Sequence, residues 1–176
     1  MTNETVTDEN QTTYTTVFGS MSDYDKGRVI VVDDDPKAYV FSNVFEVANN
    51  SRPYEKVAVG KNLEYVLEVI RCEGTSEWRE TPHDEFALVM DGEVTVELLD
   101  PADQQVDPAA SGSIGLDGEP AGKRMGHIVA RRGHQVLLPA GRCYRFDCAG
   151  LGVILLQTIE GPDTVQRWAD ICQTEA

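Results

Sequence analysis

The sequence predicts an all-β fold preceded by a polar arm and followed by one helix. Residues 133 to 148, GHQVLLPAGRCYRFDC, place short runs of alternating apolar residues on either side of a Pro-Ala-Gly turn, which is typical of two strands joined by a turn. The apolar runs 86 to 90 and 93 to 99 flank Asp91-Gly92, the dipeptide most typical of a β-hairpin. A chain of 176 residues is long enough for one core, and nothing in it demands two.

The composition argues against several classes of function. Thirty acidic residues against fifteen basic ones give a formal net charge of −15, which repels phosphate backbones and anionic lipid surfaces. No apolar run reaches the ~18 residues of a membrane span, and the acidic first residues do not resemble a signal peptide. We therefore expect a cytoplasmic protein that binds neither nucleic acid nor membranes.

The cysteines predict free thiols. Four cysteines, at positions 72, 143, 148 and 172, show no CxxC spacing, and three of them lie in apolar or strand-like segments. Reduced, partly buried thiols are typical of such positions in a cytoplasmic protein. A disulfide between Cys143 and Cys148 stays open, because the spacing alone does not define the geometry that it requires.

We predict an N-terminal arm that is followed by a barrel. Residues 1 to 25 are rich in Thr, Asn, Asp and Glu, and we expect this N-terminal arm to have little order without a partner. The barrel is predicted to span residues 26 to 161. Within it, residues 38 to 48, AYVFSNVFEVA, have strand propensity. Residues 63 to 71, LEYVLEVIR, fit strand or helix by pattern, and we favour a strand because it leads directly into the next strand region.

Two further segments complete the prediction. Residues from about 100 to 125 are rich in Asp, Pro, Ser and Gly, which predicts an inserted surface loop. This loop is either a lid or partner-docking arm, or a tolerated insertion. Residues 162 to 176 are predicted to form a C-terminal helix that starts at Pro162 and packs one apolar face on the barrel.

Two stretches carry the spacing of the metal-binding motifs of the cupin family, but most of the ligands are replaced. In the second motif Gly133, Pro139 and Gly141 fit, whereas Tyr144 replaces the histidine and Cys148 the asparagine. In the first motif Glu85 and Gly92 fit. The positions of its two histidines fall in the segment Trp78, Arg79, Glu80 and Thr81.

The remaining histidines leave one alternative open. A cupin normally supplies three histidines and one glutamate to its metal, and only Glu85 remains here. His83 precedes Glu85 by two residues, so on a strand both side chains point to the same face. A stand-alone metal-binding cupin enzyme would need a third ligand from His127 or His134, which no spacing assigns.

The chain also resembles the small (alpha) subunit of the two-component hydroquinone 1,2-dioxygenases over about residues 26 to 173. The resemblance is carried by the segments YVFSNVFEVA, PYEKVAVGKNLEYVLE, HDEFALVMDGEV, ARRGHQVLLPAG and RWADIC. It implies a cupin fold, that is, a jelly-roll β-barrel. It also implies that the chain pairs with a larger catalytic subunit in an α2β2 heterotetramer, and that this partner holds the Fe(II) that is used to cleave hydroquinone with O2.

Under this resemblance we expect no catalytic residue and no metal ligand in the chain itself. If the chain reaches the aromatic substrate, the candidates are Trp78, Tyr144 and His83: Trp78 offers an aromatic face, and Tyr144 a phenolic hydrogen bond. A metal-free cupin that binds a small aromatic ligand without chemistry is the remaining alternative.

Overall fold

The computed structural model of the protein describes residues 19 to 25, 30, 32 to 34 and 42 to 171. Most of the predicted N-terminal arm and the end of the predicted C-terminal helix, including Cys172, lie outside the described residues. In the described region no helix is long and apolar enough to cross a membrane.

The described region is built mainly of strands, which confirms the predicted all-β fold. The elements in chain order are α1 Val44–Asn49, β1 Lys56–Asn62, β2 Tyr65–Thr75, β3 Trp78–Thr81, β4 Glu85–Asp91, β5 Glu93–Pro101, β6 Ile114–Leu116, β7 Gly122–Arg131, β8 Gln135–Leu138, β9 Arg142–Ile159, β10 Thr164–Val165 and α2 Trp168–Ile171.

Strand β9 is the centre of the sheet. Its first half pairs with β3 on one edge and β5 on the other, and its second half pairs with β2 and β4. Strands β1 and β6 lie outside β2 and β3, while β8 and β7 lie outside β4 and β5. The result is one strongly curved sheet whose inner face surrounds the core.

The predicted hairpin at Asp91-Gly92 is wrong. Strands β4 and β5 do not pair with each other but follow one another along the same edge of β9. Gly92 forms the bend between them, with φ of +76°, and a Cβ at this position would lie 2.5 Å from the carbonyl oxygen of Leu151. The dipeptide supplies the positive φ that a sharp bend needs as much as a hairpin does.

The strand expected within residues 38 to 48 is also corrected, because its second half forms helix α1. The side-chain oxygen of Asn43 accepts hydrogen bonds from the backbone N–H groups of Phe45 at 2.9 Å and Glu46 at 3.4 Å. This N-cap fixes the helix start, and burial of Phe45, Val47 and Ala48 against the sheet outweighs their strand propensity. Residues 38 to 41 lie outside the described residues.

The segment 63 to 71 is a strand as predicted, since β2 covers most of it.

The segment from 100 to 125 contains more strand than predicted. Strand β5 runs to Pro101, β6 pairs with β3, and β7 begins at Gly122. Ser113 is buried in this segment because its hydroxyl contacts side chains of the barrel interior.

The C-terminal helix begins later than predicted, at Trp168 instead of Pro162. Thr164 and Val165 form β10, which pairs in parallel with β1. Both residues are β-branched and favour a strand, and the Thr164 hydroxyl is held by the buried carboxylate of Glu68 at 2.6 Å. Val165 and Trp168 pack on the same cluster as α1, on the side of the sheet away from the main core.

The main core fills the inner face of the curled sheet. Its members include Ile70, Val89, Val96, Phe146 and Leu156. Cys72, Cys143 and Cys148 are buried free thiols, so the disulfide between Cys143 and Cys148 is not formed. Cys148 belongs to the inner core whereas Cys143 packs with Trp78 and Leu99, which places the two thiols on opposite faces of β9.

Candidate site at the substituted metal position

The phenol of Tyr144 binds the carboxylate of Glu85 inside the barrel. The Tyr144 hydroxyl donates to Glu85 Oε2 at 2.7 Å, and the hydroxyl of Thr158 donates to Glu85 Oε1 at 2.5 Å. All three residues are buried. The glutamate retained from the first motif therefore meets the tyrosine that replaces the histidine of the second motif, and both carboxylate oxygens have donors.

The environment keeps Tyr144 protonated. Complete burial and then the neighbouring charge of Glu85 raise the pKa of the Tyr144 phenol well above 10.0. The phenol therefore remains a hydrogen-bond donor to the carboxylate at neutral pH. The two groups form a hydrogen-bonded pair inside the barrel.

His83 lies at the edge of this pair. The backbone N–H of Ile159 donates to its Nε2 at 3.2 Å, which leaves the ring proton on Nδ1. The same Nε2 lies 3.0 Å from Thr158 Oγ1 and 4.0 Å from Glu85 Oε1. Burial, which outweighs the opposing charge of Glu85, lowers the pKa of His83 below 6.5, and the positive charge of Lys56 adds to this. The ring is therefore neutral at neutral pH.

A buried polar network extends from Tyr144 through the hydroxyl of Ser113. Ser113 Oγ lies 3.1 Å from the Tyr144 hydroxyl and accepts from Lys56 Nζ at 2.9 Å and from Arg79 Nε at 3.2 Å. Lys56 forms a buried ion pair with Glu68, with 3.1 Å between Nζ and Oε2. One hydroxyl thus joins two cations to the phenol.

Arg79 carries the network to the surface. Its guanidinium pairs with Glu77 and with Asp163, each at 2.5 Å, and donates to the backbone oxygen of Ser113 at 2.8 Å. Arg79 therefore pairs with two carboxylates and Lys56 with one, while Glu85 is held by hydroxyl donors.

A cavity of about 320 Å³ lies above this network. Its walls include Tyr54, Lys56, Ile70, Arg79, Tyr144 and Phe146. The volume suits a single aromatic ring, and the lining combines apolar side chains with the hydrogen-bonding groups of the network.

The residues present do not fit a metal site. A metal centre of this kind needs about three converging His or carboxylate ligands, and no group of three or more His, Cys, Asp or Glu side chains in the described part of the chain could hold an ion. His127 on β7 lies opposite Glu97 on β5, and the His134 ring contacts the backbone of Arg131. Neither histidine joins His83 and Glu85 in such a group.

Trp78 lies apart from the other candidates. Arg79 pairs directly with Tyr144, so the preceding Trp78 points to the opposite face of the sheet. Its ring stacks under the Arg145 guanidinium at 4.7 Å and packs against Leu99 and Cys143. Of the three candidates, the structure brings together Tyr144 and His83, through Glu85 and Thr158, but not Trp78.

Sequence reasoning missed Lys56, Ser113 and Thr158. Thr158 had a signal, because it is a polar residue near the end of the long apolar run GVILLQTI. Ser113 had none, since it lies in a segment rich in serine and glycine. Its role depends on the position of β6 beside β3.

No family model and no curated protein matches the chain. Among solved structures, hydroquinone 1,2-dioxygenase from Sphingomonas sp. TTNP3 with 4-hydroxybenzoate bound has a chain that is 54% identical, with a TM-score of 0.90 and coverage of 93% of this chain and 100% of that chain. A chain of hydroquinone 1,2-dioxygenase PnpCD in complex with Cd2+ and 4-hydroxybenzonitrile is 49% identical, with a TM-score of 0.88 and coverage of 93% and 99%.

A different chain of PnpCD has the same fold at low identity. In the complex of that enzyme with Fe3+, the match is 11% identical with a TM-score of 0.61, and it covers 78% of this chain but only 38% of the other. PnpCD therefore contains a short chain, which matches 93% of this protein over nearly its own whole length, and a much longer chain, which shares only the fold in one part.

Proposed function

Because this chain belongs to the hydroquinone 1,2-dioxygenase family, we propose that it is the small, metal-free subunit of an Fe(II)-dependent enzyme that cleaves hydroquinones with O2. The observation that carries this proposal is the match in length. The chain accounts for 99% to 100% of one kind of chain in these enzymes and for 38% of the other. The longer chain is the proposed catalytic partner, in an α2β2 heterotetramer, and the proposed holder of the Fe(II).

The interior of the barrel supports the assignment of iron to the partner. In a metal-binding barrel the carboxylate of Glu85 would need an oxygen free for the ion, but here Tyr144 and Thr158 each donate to one of its oxygens. Tyr144 stays protonated and is fully enclosed. We infer that Tyr144 and His83 maintain a rigid, metal-free barrel on which the longer chain assembles.

The experiment that tests this function is reconstitution of oxygen consumption. The chain is expressed alone, the longer chain alone, and the two together, and O2 uptake is measured with hydroquinone. The proposal predicts uptake by the co-purified complex and at least a tenfold loss of activity for either chain alone, a loss equivalent to about 1.4 kcal/mol. Equal activity of the longer chain without this one would contradict the role of a required subunit.

The cavity above Tyr144 supports a second candidate function, the binding of a small aromatic ligand by this chain itself. The cavity has the volume of a single ring and an aromatic wall formed by Phe146 and Tyr144. A calorimetric titration of the isolated chain with 4-hydroxybenzoate distinguishes ligand binding by this chain from the subunit function. Saturable binding that is lost in Phe146→Ala supports a ligand site in this chain, while the subunit function predicts no saturable binding.

A further inference from the structure

Strand β7 is exposed along almost its whole length. Only Ala130 of its ten residues is buried, and the exposed residues include Met125, Ile128 and Val129. Ile128 pairs with Val96 and Val129 with Thr95, so the two apolar side chains point to opposite faces of the sheet. A strand with apolar side chains exposed on both faces is not explained by the fold of this chain alone.

One edge of β7 is also open. Among the described residues β7 forms a ladder only with β5, so the backbone groups of its other edge have no strand partner. Free edges are normally protected by charged residues or by a cover. The centre of β7, Ile128 to Ala130, is uncharged, which leaves it as a template for the addition of another strand.

A groove lies over the β5–β7 ladder, on the face of the sheet that carries Trp78. Its volume is about 320 Å³, and its walls are formed by Trp78, Thr95, Glu97, Leu98, Arg124, Gly126 and His127. Two buried donors in this part of the sheet, the indole N–H of Trp78 and Nε of Arg145, have no hydrogen-bond partner among the described residues. Both donors belong to the face of the sheet on which the groove lies, since the Arg145 guanidinium stacks on the Trp78 ring.

The charge pattern of β7 favours a segment with acidic residues as the occupant. Lys123 and Arg124 precede the apolar centre, and Arg131 and Arg132 follow it. Basic residues therefore flank the uncharged centre on both sides, and opposite charges across a strand pair are stabilising. Arg124 and Arg131 contact carboxylates of this chain but remain more than half exposed, so a partner with acidic residues can still reach them.

We propose that the free edge of β7 and the adjoining groove are the docking surface for the longer chain of the dioxygenase, which adds an extended apolar segment with acidic residues at both ends. This inference rests on the proposed function, because that function names the longer chain as the partner. It assigns Trp78 to the partner interface and not to the substrate.

The test compares two exposed apolar residues on different surfaces. Val129 on β7 is 47% exposed, and Leu137 on β8, which lies on another part of the sheet, is 45% exposed. Val129→Lys and Leu137→Lys are each co-expressed with the longer chain, and the Kd of the complex is measured. We expect Val129→Lys to raise the Kd about tenfold or more and Leu137→Lys to change it less than about twofold.

Ile128→Lys, on the other face of β7, is the second variant and is expected to weaken the complex similarly. The melting temperature of each isolated variant is measured as well. A value within a few degrees of that of wild type shows that the substitution acts on binding and not on folding. A complex that forms with wild-type affinity in both β7 variants overturns the docking surface while leaving the proposed function intact. Equal weakening by Leu137→Lys, or a homodimer through β7 that does not affect the longer chain, also overturns it. A wild-type chain that forms no complex at all overturns both proposals.

Discussion

Glu85 is completely buried, and its carboxylate receives hydrogen bonds from Tyr144 and Thr158. An ionised carboxylate in an apolar interior costs several kcal/mol unless charge-assisted hydrogen bonds or a metal compensate it. In this chain hydroxyl donors supply the compensation. Tyr144 and Thr158 therefore hold Glu85 in a barrel whose other motif ligands are absent.

We expect Tyr144→Phe to lower the free energy of unfolding by about 1 to 3 kcal/mol, because it leaves a buried carboxylate oxygen without its donor. Urea denaturation of the purified chain measures the effect. Tyr65→Phe is the matched control, since Tyr65 is half exposed, and its effect should stay within about 0.5 kcal/mol. Equal stability of Tyr144→Phe and wild type would show that the phenol does not support Glu85.

The lowered pKa of His83 predicts that the stability of the chain depends on pH. Its folded-state pKa lies below 6.5, mainly because of burial, so the unfolded chain binds the proton more readily than the folded chain. This contribution to stability is fully present above pH 6.5 and is lost as the pH falls through the folded-state pKa.

The measurement is the slope of the unfolding free energy against pH just below pH 6.5 for wild type and His83→Gln. We expect a smaller slope in the variant. His134→Gln removes an exposed histidine and serves as the control, with a slope like that of wild type. An unchanged slope in His83→Gln would contradict a buried neutral ring.

At the level of elements, the chain passes from β4 to β5 and from β7 to β8 through bends and does not reverse in a hairpin at either place. Strands β4 and β5 follow one edge of β9, and β8 and β7 lie beside them. Gly92 and Gly133 mark the bends, with φ of +76° and +85°. Because of these bends, β4 and β5 cover different parts of the inner face of the sheet, and so do β8 and β7.

Gly92→Ala tests the bend. The added Cβ would meet backbone atoms of Leu151 and Gly152 within 3 Å, and the positive φ disfavours alanine. We expect a loss of at least about 1 to 3 kcal/mol in the free energy of unfolding. Gly150→Ala is the control because a Cβ there has open space and no positive φ, and its effect should be within about 0.5 kcal/mol. Similar values for the two variants would show that the bend tolerates a side chain.

Local sequence patterns predicted most strands but not their partners. The alternation around Pro139 and the pattern of residues 63 to 71 gave β8, β9 and β2. The partner of β4 could not be predicted, because Asp91-Gly92 fits a bend and a hairpin equally well. Helix α1 was missed because a single cap, Asn43, and packing on the sheet outweighed the propensity of β-branched and aromatic residues.

At the scale of the whole molecule, the missing metal ligands and the family were accessible from sequence, but the arrangement of the site was not. Motif spacing placed Glu85 at the glutamate position of the first motif and Tyr144 at the histidine position of the second. In the structure the Tyr144 hydroxyl lies 2.7 Å from Glu85 Oε2. The face of Trp78 could not be predicted, because it depends on the pairing of β3 with β9. The partners of Lys56 depend likewise on contacts between distant segments.

The molecule as a whole combines a closed interior with an open flank. The buried network around Tyr144 is held by hydrogen bonds within the chain, whereas β7 exposes apolar side chains on both faces. Such a distribution is typical of a subunit whose surface, and not its interior, serves the assembly.

The decisive measurement is the iron content of the complex with the longer chain, compared between wild type and Glu85→Gln. We predict that the isolated chain binds no stoichiometric iron and that the Glu85→Gln complex retains the iron of the wild-type complex. Near-stoichiometric iron in the isolated chain, lost on Glu85→Gln, would contradict it and assign the metal to this barrel.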